Sequence, residues 1–329
     1  MAYTSSDYSQ APDILRNFIY YMLTIKGRSQ LTVENYYLDL RFFFRYLKRL
    51  RGLAPKNVPL REIDISDVDI KLIETVTLTD VYAFLNYVYN ECHNGPRTRS
   101  RKVSALRTFF KYLVNNVSLL KTNPVEYLEL PAVPKTLPKH LTLEQSYDLL
   151  SCFDQNDPFY SRDFCIVTLF LNCGMRLSEL TGLNLNSISE NTLTVVGKGN
   201  KERQLYLNDA CLKALEHYLA DRSQMPTIID KEALFLNRRG KRLGQRRVQQ
   251  LVTSFLDKAG LSGQGLSTHK LRHTAATMMY QYGEADIRVL QEILGHSNLS
   301  TTQIYTHVSS RQKESAIQSN PLAQFKPKK

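Results

Sequence analysis

Apolar positions in the first 130 residues recur three and four apart, which is the spacing of helices with one buried face. The clearest stripe covers residues 33–50, with Thr32 placed to cap its start and Gly52 placed to end it. A second stripe covers residues 81–88 and follows Thr79, another candidate cap. The pattern therefore predicts a helical N-terminal half.

Three further segments complete that half. An opening helix is expected near residues 13–26, and a basic helix with an apolar stripe near residues 97–111, which makes a four-helix domain. In the intervening segment 53–77, acidic residues outnumber basic ones. Because a net-negative segment is a poor DNA contact, we expect it to lie away from any duplex and toward another protein.

A proline-rich stretch, residues 131–140, has neither helical nor strand patterning and is the predicted linker. Beyond it the pattern is mixed. Helices are predicted at residues 143–153 and 162–173, the second stopped by Gly174. Short alternating strands at residues 192–196 and 204–207 flank a glycine-rich turn.

Helices return for most of residues 209–308. The predicted division is a helical domain at 1–130, a linker at 131–140, a mixed catalytic domain at 141–310 and a tail at 311–329. A chain of 329 residues is long enough for two such domains.

Composition narrows the class of protein. The longest strongly apolar run, residues 164–171, is too short to span a bilayer, and the first ten residues lack an apolar signal core. We therefore expect a cytoplasmic protein without a membrane partner. The five cysteines form no CxxC pair, which argues against a disulfide framework and a zinc site.

The net charge of +12 is shared, with +5 on residues 1–130 and +7 on the remainder. Such a distribution suits two domains that face a polyanion, although anionic membranes and ribosomes attract the same charge. Two dense basic runs are candidate DNA contacts: Arg97, Arg99, Arg101, Lys102, Arg107 and Lys111 in the first, and Arg238, Arg239, Lys241, Arg242, Arg246 and Arg247 in the second.

Candidate catalytic residues follow one another along the second half: Arg176, Lys198, His269, Arg272, His296 and Tyr305. Two arginines, a lysine and two histidines around one point would stabilise the transition state of phosphoryl transfer, and a phenol beside them could attack the phosphorus. Glu179, one turn after Arg176, could orient that arginine, and His273 is the alternative to His269 as the acting imidazole. Taken singly, each residue also suits a surface ion pair, a solvated turn, a helix cap or a packing contact.

Residues 13–310 resemble the tyrosine recombinase (phage integrase) family, most closely its Xer-like simple recombinases. The matching segments are residues 174–180, residues 197–203, His269-Lys270-Leu271-Arg272-His273, and Leu294-Gly295-His296 followed by Tyr305-Thr306-His307. The basic helix with Ser104-Ala105-Leu106-Arg107 is also similar to the core-binding domain of that family. The acidic segment after Gly52 departs from the pattern, which puts partner contacts in doubt rather than chemistry.

This resemblance implies a mainly α fold with a small β-sheet, built as a two-domain DNA clamp from a helical core-binding (SAM-like) domain and a mixed α/β catalytic domain. It implies a site-specific recombinase in which Tyr305 attacks the DNA, without metal or cofactor. The partners would be double-stranded DNA with a specific site and a homo- or hetero-tetramer of protomers on two duplexes, with the tail docking on a neighbour.

The cellular role would be chromosome dimer resolution, in chromosome partition at cell division, or integration and excision of a mobile element. Two alternatives remain from the residues alone. One is a type IB topoisomerase, which uses nearly the same catalytic set. The other is a non-catalytic architectural protein that binds specific DNA.

Overall fold

The computed structural model describes residues 8, 11–55, 57–132, 139–197, 201–283 and 286–295. Contacts between Cα atoms divide the chain into two compact units, residues 1–135 and 136–329, and each is described by itself.

The first unit is helical, as the pattern predicts. Its helices are α1 (Asp13–Tyr20), α2 (Gln30–Leu50), α3 (Ile70–Glu74), α4 (Leu78–Asn90) and α5 (Pro96–Asn115). A π-helical turn, Tyr21–Ile25, continues α1, so the opening segment is regular over nearly its predicted length. Within the described residues the unit holds five α-helices rather than four, because the acidic segment contributes the short α3.

Two helix caps differ from the prediction. Helix α2 is capped by Ser29, whose hydroxyl oxygen accepts from the Thr32 backbone N–H at 3.4 Å, so Thr32 lies inside the helix. Helix α4 is capped by Thr77, not Thr79, in a reciprocal capping box with Asp80. In both cases an earlier hydroxyl has the extended backbone that a cap requires, and the helix starts sooner.

Aromatic rings fill the core of the first unit. Phe43 meets Phe84 edge-on with ring centroids 5.2 Å apart, and Phe18 meets Phe109 in the same way at 5.2 Å. These contacts join α1 to α5 and α2 to α4. The apolar stripes of the sequence therefore face one another across a single core.

The acidic segment is fastened to α2 by its own charges. The buried Lys48 ammonium donates to Asp67 Oδ1 at 2.6 Å and to the Asp64 carbonyl oxygen at 2.9 Å. The Asp69 carboxylate caps α3. Part of the net negative charge of this segment is thus used within the unit.

The second unit combines seven described α-helices with a small sheet. The helices are α6 (Leu143–Ser151), α7 (Tyr160–Cys173), α8 (Leu177–Gly182), α9 (Asp209–Ser223), α10 (Gln245–Lys258), α11 (Thr268–Tyr282) and α12 (Ile287–Leu294). The sheet has antiparallel order β1 (Ile188–Ser189), β2 (Thr192–Val196) and β3 (Glu202–Tyr206). Strand β2 has its predicted limits, and β3 starts two residues earlier than predicted.

The register of this sheet determines which residues flank the glycine-rich turn. Val196 pairs with Glu202, and the Gly197 N–H donates to the Lys201 carbonyl oxygen at 2.8 Å. The inward side chains Leu193, Val195 and Leu205 join the main core of the unit. The described residues on both sides of Lys198, Gly197 and Lys201, are therefore held by a paired hairpin.

Candidate active site

Helix α7 ends where the first catalytic candidate begins. Gly174 takes a left-handed conformation (φ +59°) and stops α7, as predicted. A methyl group at Gly174 would lie 3.1 Å from a Leu294 side-chain carbon, so the turn also allows close packing against α12. Two residues later, Arg176 forms the N-cap of α8.

Glu179 lies at the centre of a cluster of guanidinium groups. Its Oε2 accepts from the Arg176 backbone N–H at 2.7 Å, and its Oε1 accepts from Arg176 Nη1 at 2.6 Å. Arg203 of β3 donates to both oxygens, Nη1 to Oε1 at 2.7 Å and Nη2 to Oε2 at 2.9 Å. Arg272 Nη1 lies 3.9 Å from Oε2. The carboxylate side chain is fully enclosed.

The electrostatics of Glu179 follow from this geometry. Burial acts to raise its pKa, but the hydrogen bonds and charges of Arg203 and Arg176 outweigh burial and lower the pKa to about 2. The carboxylate is therefore ionised at any pH at which the protein works, and it holds the two arginine planes in fixed orientations.

Arg272 lies near the start of α11 and is the most enclosed of the described arginines, with 2% of its side chain exposed. Its Nη1 donates to the Gly174 carbonyl oxygen at 2.6 Å, and its Nη2 donates to the Leu294 carbonyl oxygen. Arg176 is more accessible, with 32% of its side chain exposed. The two predicted phosphate ligands are thus brought together, with Arg176 nearer to solvent.

Three arginines also cap the C-terminal end of α12. Its last carbonyl oxygens would otherwise lack helical partners. Ile293 O accepts from Arg203 Nε at 2.9 Å, Leu294 O accepts from Arg272, and Gly295 O accepts from Arg176 Nη2 at 2.8 Å. Each arginine therefore binds one of three successive carbonyls, and the arginine cluster fixes the C-terminal end of α12.

His269 shares the first turn of α11 with Arg272. Partial burial lowers its pKa, and the nearby charges of Arg272, Lys270 and Arg176 lower it further. The ring is therefore mainly neutral near pH 7 and able to accept a proton. His273, the alternative imidazole, is buried and meets the His269 ring edge-on with centroids 4.6 Å apart.

Lys198, His296 and Tyr305 lie outside the described residues. The residues that precede Lys198 and His296, however, are described and lie beside the arginine cluster. An atom at the Cβ position of Gly197 would lie 3.6 Å from Glu179 Oε1 and 3.8 Å from Arg176 Nη1. The same position on Gly295 would lie 3.1 Å from Arg203 Nη1. The residues that precede Lys198 and His296 thus contact the cluster formed by Arg176, Glu179, Arg203 and Arg272.

Sequence reasoning missed Arg203. It stands in the segment that carries the resemblance, but its contact with Glu179 depends on the register of β3 with β2 and on how β2 packs against α8. Arg203 is 24 residues from Glu179 along the chain, and helical spacing therefore does not indicate the contact.

The predicted DNA contacts divide by exposure. Arg97, Arg107, Lys111, Arg238, Arg239, Lys241, Arg246 and Arg247 are exposed. Lys102 is instead buried and donates to Asp39 Oδ1 at 2.8 Å, with Arg101 Nη2 3.1 Å from the same oxygen. Arg99 stacks over the Tyr89 ring, and Arg242 donates to Asn184 Oδ1 at 2.6 Å. The last four side chains are thus occupied within their own units.

Two kinds of feature are absent from the described residues. They contain no group of three histidine, cysteine or acidic side chains placed to hold a metal ion. No helix in the described ranges is long and apolar enough to cross a membrane.

Comparison with known proteins gives consistent matches. The sequence model of the phage integrase family matches residues 139–312. Tyrosine recombinase XerC of Caldanaerobacter subterraneus subsp. tengcongensis is 52% identical over 313 residues, covering 95% of this chain and 88% of that protein. Tyrosine recombinase XerC of Leptospira interrogans serovar copenhageni is 35% identical over 313 residues, with coverages of 94% and 93%.

Solved structures agree on the fold. A crystal structure of the XerH site-specific recombinase bound to difH substrate, in a pre-cleavage complex, aligns with a TM-score of 0.67 at 24% identity, covering 95% of this chain and 86% of that one. A crystal structure of a lambda integrase dimer bound to a COC′ core site gives 0.63 at 17% identity, with coverages of 89% and 75%. The chain belongs to the phage integrase family as a Xer-like site-specific tyrosine recombinase, an enzyme that cleaves and rejoins DNA.

Proposed function

We propose that this recombinase cuts each strand with the phenol of Tyr305. The phenolic oxygen bonds to the scissile phosphorus, the bond to the 5′-oxygen breaks, and a 3′-phosphotyrosyl link and a 5′-hydroxyl result. The phosphotyrosyl bond stays reactive, so a 5′-hydroxyl from another strand can displace the tyrosine without ATP. The observation that carries the proposal is the cluster of Arg176, Glu179, Arg203 and Arg272, against which the neighbours of Lys198 and His296 pack.

The two arginine candidates have distinct positions in this scheme. Arg176 is the more exposed and meets the phosphate first, while Arg272 lies behind it at the base of the cluster. Both would donate to non-bridging oxygens, where negative charge accumulates in the transition state. Glu179 orients Arg176 but does not touch the DNA, since its side chain is enclosed.

Proton transfers fall to the remaining candidates. A phenol has an ordinary pKa near ~10 and needs a base or a strongly cationic site at neutral pH. His269 suits the base because its lowered pKa keeps it neutral. In the same proposal Lys198 protonates the leaving 5′-oxygen, and His296 donates a hydrogen bond to the phosphate.

The exposed members of the two basic runs would bind the DNA backbone. Arg238, Arg239 and Arg247 line a notch of about 460 Å³ in the second unit, together with the Phe159 ring and the buried Arg162. Guanidinium groups around a recess of this size suit a phosphate group.

For the assembly, we propose a homo- or hetero-tetramer of protomers on two duplexes, with the segment 311–329 docking on a neighbouring protomer. Its apolar residues Ile317, Leu322 and Phe325 would supply that contact. The DNA site would be chromosomal, for dimer resolution, or belong to a mobile element. If removal of residues 312–329 leaves synapsis intact, the docking proposal is wrong.

The DNA site is first identified by trapping the covalent adduct in the native host and sequencing its DNA. A nicked suicide duplex that contains this site then tests the chemistry. Wild-type protein should give a denaturation-resistant protein–DNA complex, and Tyr305→Phe should bind the same duplex and give none. Specific binding with no adduct in either protein would instead support the non-catalytic alternative. Adduct with relaxation of supercoiled DNA, but no strand exchange between sites, would support topoisomerase activity.

A further inference from the structure

The Arg203 side chain joins three parts of the second unit. Its two terminal nitrogens donate to the two oxygens of Glu179 at 2.7 and 2.9 Å, and its Nε donates to the Ile293 carbonyl oxygen at 2.9 Å. Only 15% of the side chain is exposed. One guanidinium therefore links β3, the start of α8 and the end of α12 with three directed bonds, which its planar fork allows.

On one side, Arg203 anchors the hairpin that contains Lys198. It pairs with Val195 across the sheet, close to where Val196 meets Glu202 at the end of the hairpin. Gly197 follows beside Glu179 and Arg176, since a methyl group there would lie 3.6 Å from Glu179 Oε1 and 3.8 Å from Arg176 Nη1. Because Glu179 binds both arginines, the hairpin end and the exposed arginine share one anchor.

On the other side, Arg203 supports the end of α12. It binds the Ile293 carbonyl, and Gly295 sits directly on its guanidinium, where a methyl group would lie 3.1 to 3.2 Å from three of the Arg203 side-chain atoms. Gly295 precedes His296. The same side chain thus supports the described residue that comes directly before a second catalytic candidate.

We propose that Arg203 is a positioning residue for DNA cleavage. It acts through its neighbours: by tying the hairpin and the end of α12 to the Glu179 carboxylate, it fixes Gly197 and Gly295, the described residues that precede the catalytic candidates Lys198 and His296. This inference rests on the proposed function. It predicts a loss in the rate of cleavage at saturating DNA, with little loss in DNA affinity, because the anchors of the reacting groups move while the exposed basic surface is unchanged.

A purely structural arginine would behave differently, and the chain supplies a control. Arg222 of α9 is also buried and binds carbonyl oxygens, those of Leu234, Lys231 and Ala233 at 2.8 to 3.2 Å. None of these bonds involves Glu179 or α12. A lysine at either position keeps the charge but cannot reproduce the planar set of bonds.

The experiment compares wild type, Arg203→Lys and Arg222→Lys at a temperature where circular dichroism shows all three folded. For each, the Kd for the recovered duplex and the single-turnover rate of adduct formation at saturating DNA are measured. We expect Arg203→Lys to bind within about threefold of wild type and to cleave about 100-fold more slowly. Arg222→Lys should cleave within about threefold of wild type, although it is less stable.

A cleavage rate for Arg203→Lys within a few-fold of wild type would overturn the inference. An equal loss of cleavage rate in Arg222→Lys would also overturn it, and so would an Arg203→Lys protein that loses only DNA affinity. Should Arg203→Lys not fold, Gly295→Ala disturbs the same contact from the opposite side and must also slow cleavage at saturating DNA. Wild-type adduct that depends on Tyr305 keeps the proposed function intact whatever Arg203 does. Without that adduct the proposed function fails, and this inference fails with it.

Discussion

Replacing Glu179 by glutamine tests whether the cluster is held together by charge. The glutamine has nearly the same shape and can still accept from an arginine. It cannot, however, provide the negative charge that faces Arg176, Arg203 and Arg272 in an enclosed site. Removing one partner of a buried ion pair leaves the others with uncompensated charge, which is strongly destabilising.

The magnitude follows from the pKa of Glu179, which falls from an ordinary 4.5 to about 2 in the folded protein. A fall of this size corresponds to about 3 kcal/mol of stability. Because the folded pKa is depressed, this stability is fully present above the ordinary pKa and is lost as the pH falls toward the folded value. Glu179→Gln should therefore be about 3 kcal/mol less stable than wild type near pH 7.

Urea unfolding, followed by far-UV circular dichroism since the chain contains no tryptophan, measures this difference. The control is Glu216→Gln, an exposed position on α9, which should change stability by less than about 0.5 kcal/mol. The gap between wild type and Glu179→Gln should narrow steadily as the pH is lowered below 4.5. A gap below about 1 kcal/mol near pH 7, or one that does not change with pH, would refute the reasoning.

Three other outcomes are expected. The wild-type rate of adduct formation should fall as the pH drops below 6.5 through the lowered pKa of His269, because a protonated ring cannot act as a base. His269→Asn should be slow at every pH, and its single-turnover pH profile should lack this fall in rate at low pH. Because Arg107 is exposed, Arg107→Ala should reduce the slope of log Kd against log salt by about one. Lys102→Met, which removes a buried ion pair, should lower the melting temperature and leave the slope unchanged. Equal slopes for Arg107→Ala and wild type would exclude a phosphate contact of Arg107. Gly240→Ala should lower the melting temperature more than Gly263→Ala. Both glycines have positive φ, but only at Gly240 would the added methyl group lie 2.3 Å from a carbonyl oxygen. Equal melting temperatures for the two variants would contradict this prediction.

Contacts between residues close together in the sequence could be predicted from their spacing. The three-residue spacing of Arg176 and Glu179 indicated that they could meet, and the structure shows the ion pair at 2.6 Å. The shared face of His269 and Arg272 followed from helical spacing, and Gly174 was expected to end its helix. These contacts depend on a single turn of backbone, and the sequence therefore indicates them directly.

Contacts between residues far apart in the sequence could not be predicted from their spacing. Arg203 reaches Glu179 and Ile293 only because β3 packs on α12 while its partner strand β2 packs on α8, and no spacing rule encodes that arrangement. The burial of Lys102 did have a local signal. Lys102 is four residues before Leu106 and seven before Phe109, which places it on the apolar stripe of α5 rather than on its basic face. The number of basic residues in a run does not show which of them lie on the buried face of the helix.

The balance of charge in the cluster of Arg176, Glu179, Arg203 and Arg272 has a consequence for measurements in solution. Glu179 neutralises only one of the three guanidinium groups around it, which leaves the cluster with two positive charges among these four described residues. If the cluster binds the DNA phosphate as proposed, it is an ion-exchange site: a small anion from the buffer occupies it in the DNA-free protein and must leave before the DNA phosphate binds. An affinity for DNA measured in phosphate or sulfate is then a difference between two binding free energies, and chloride buffers should give the tighter value.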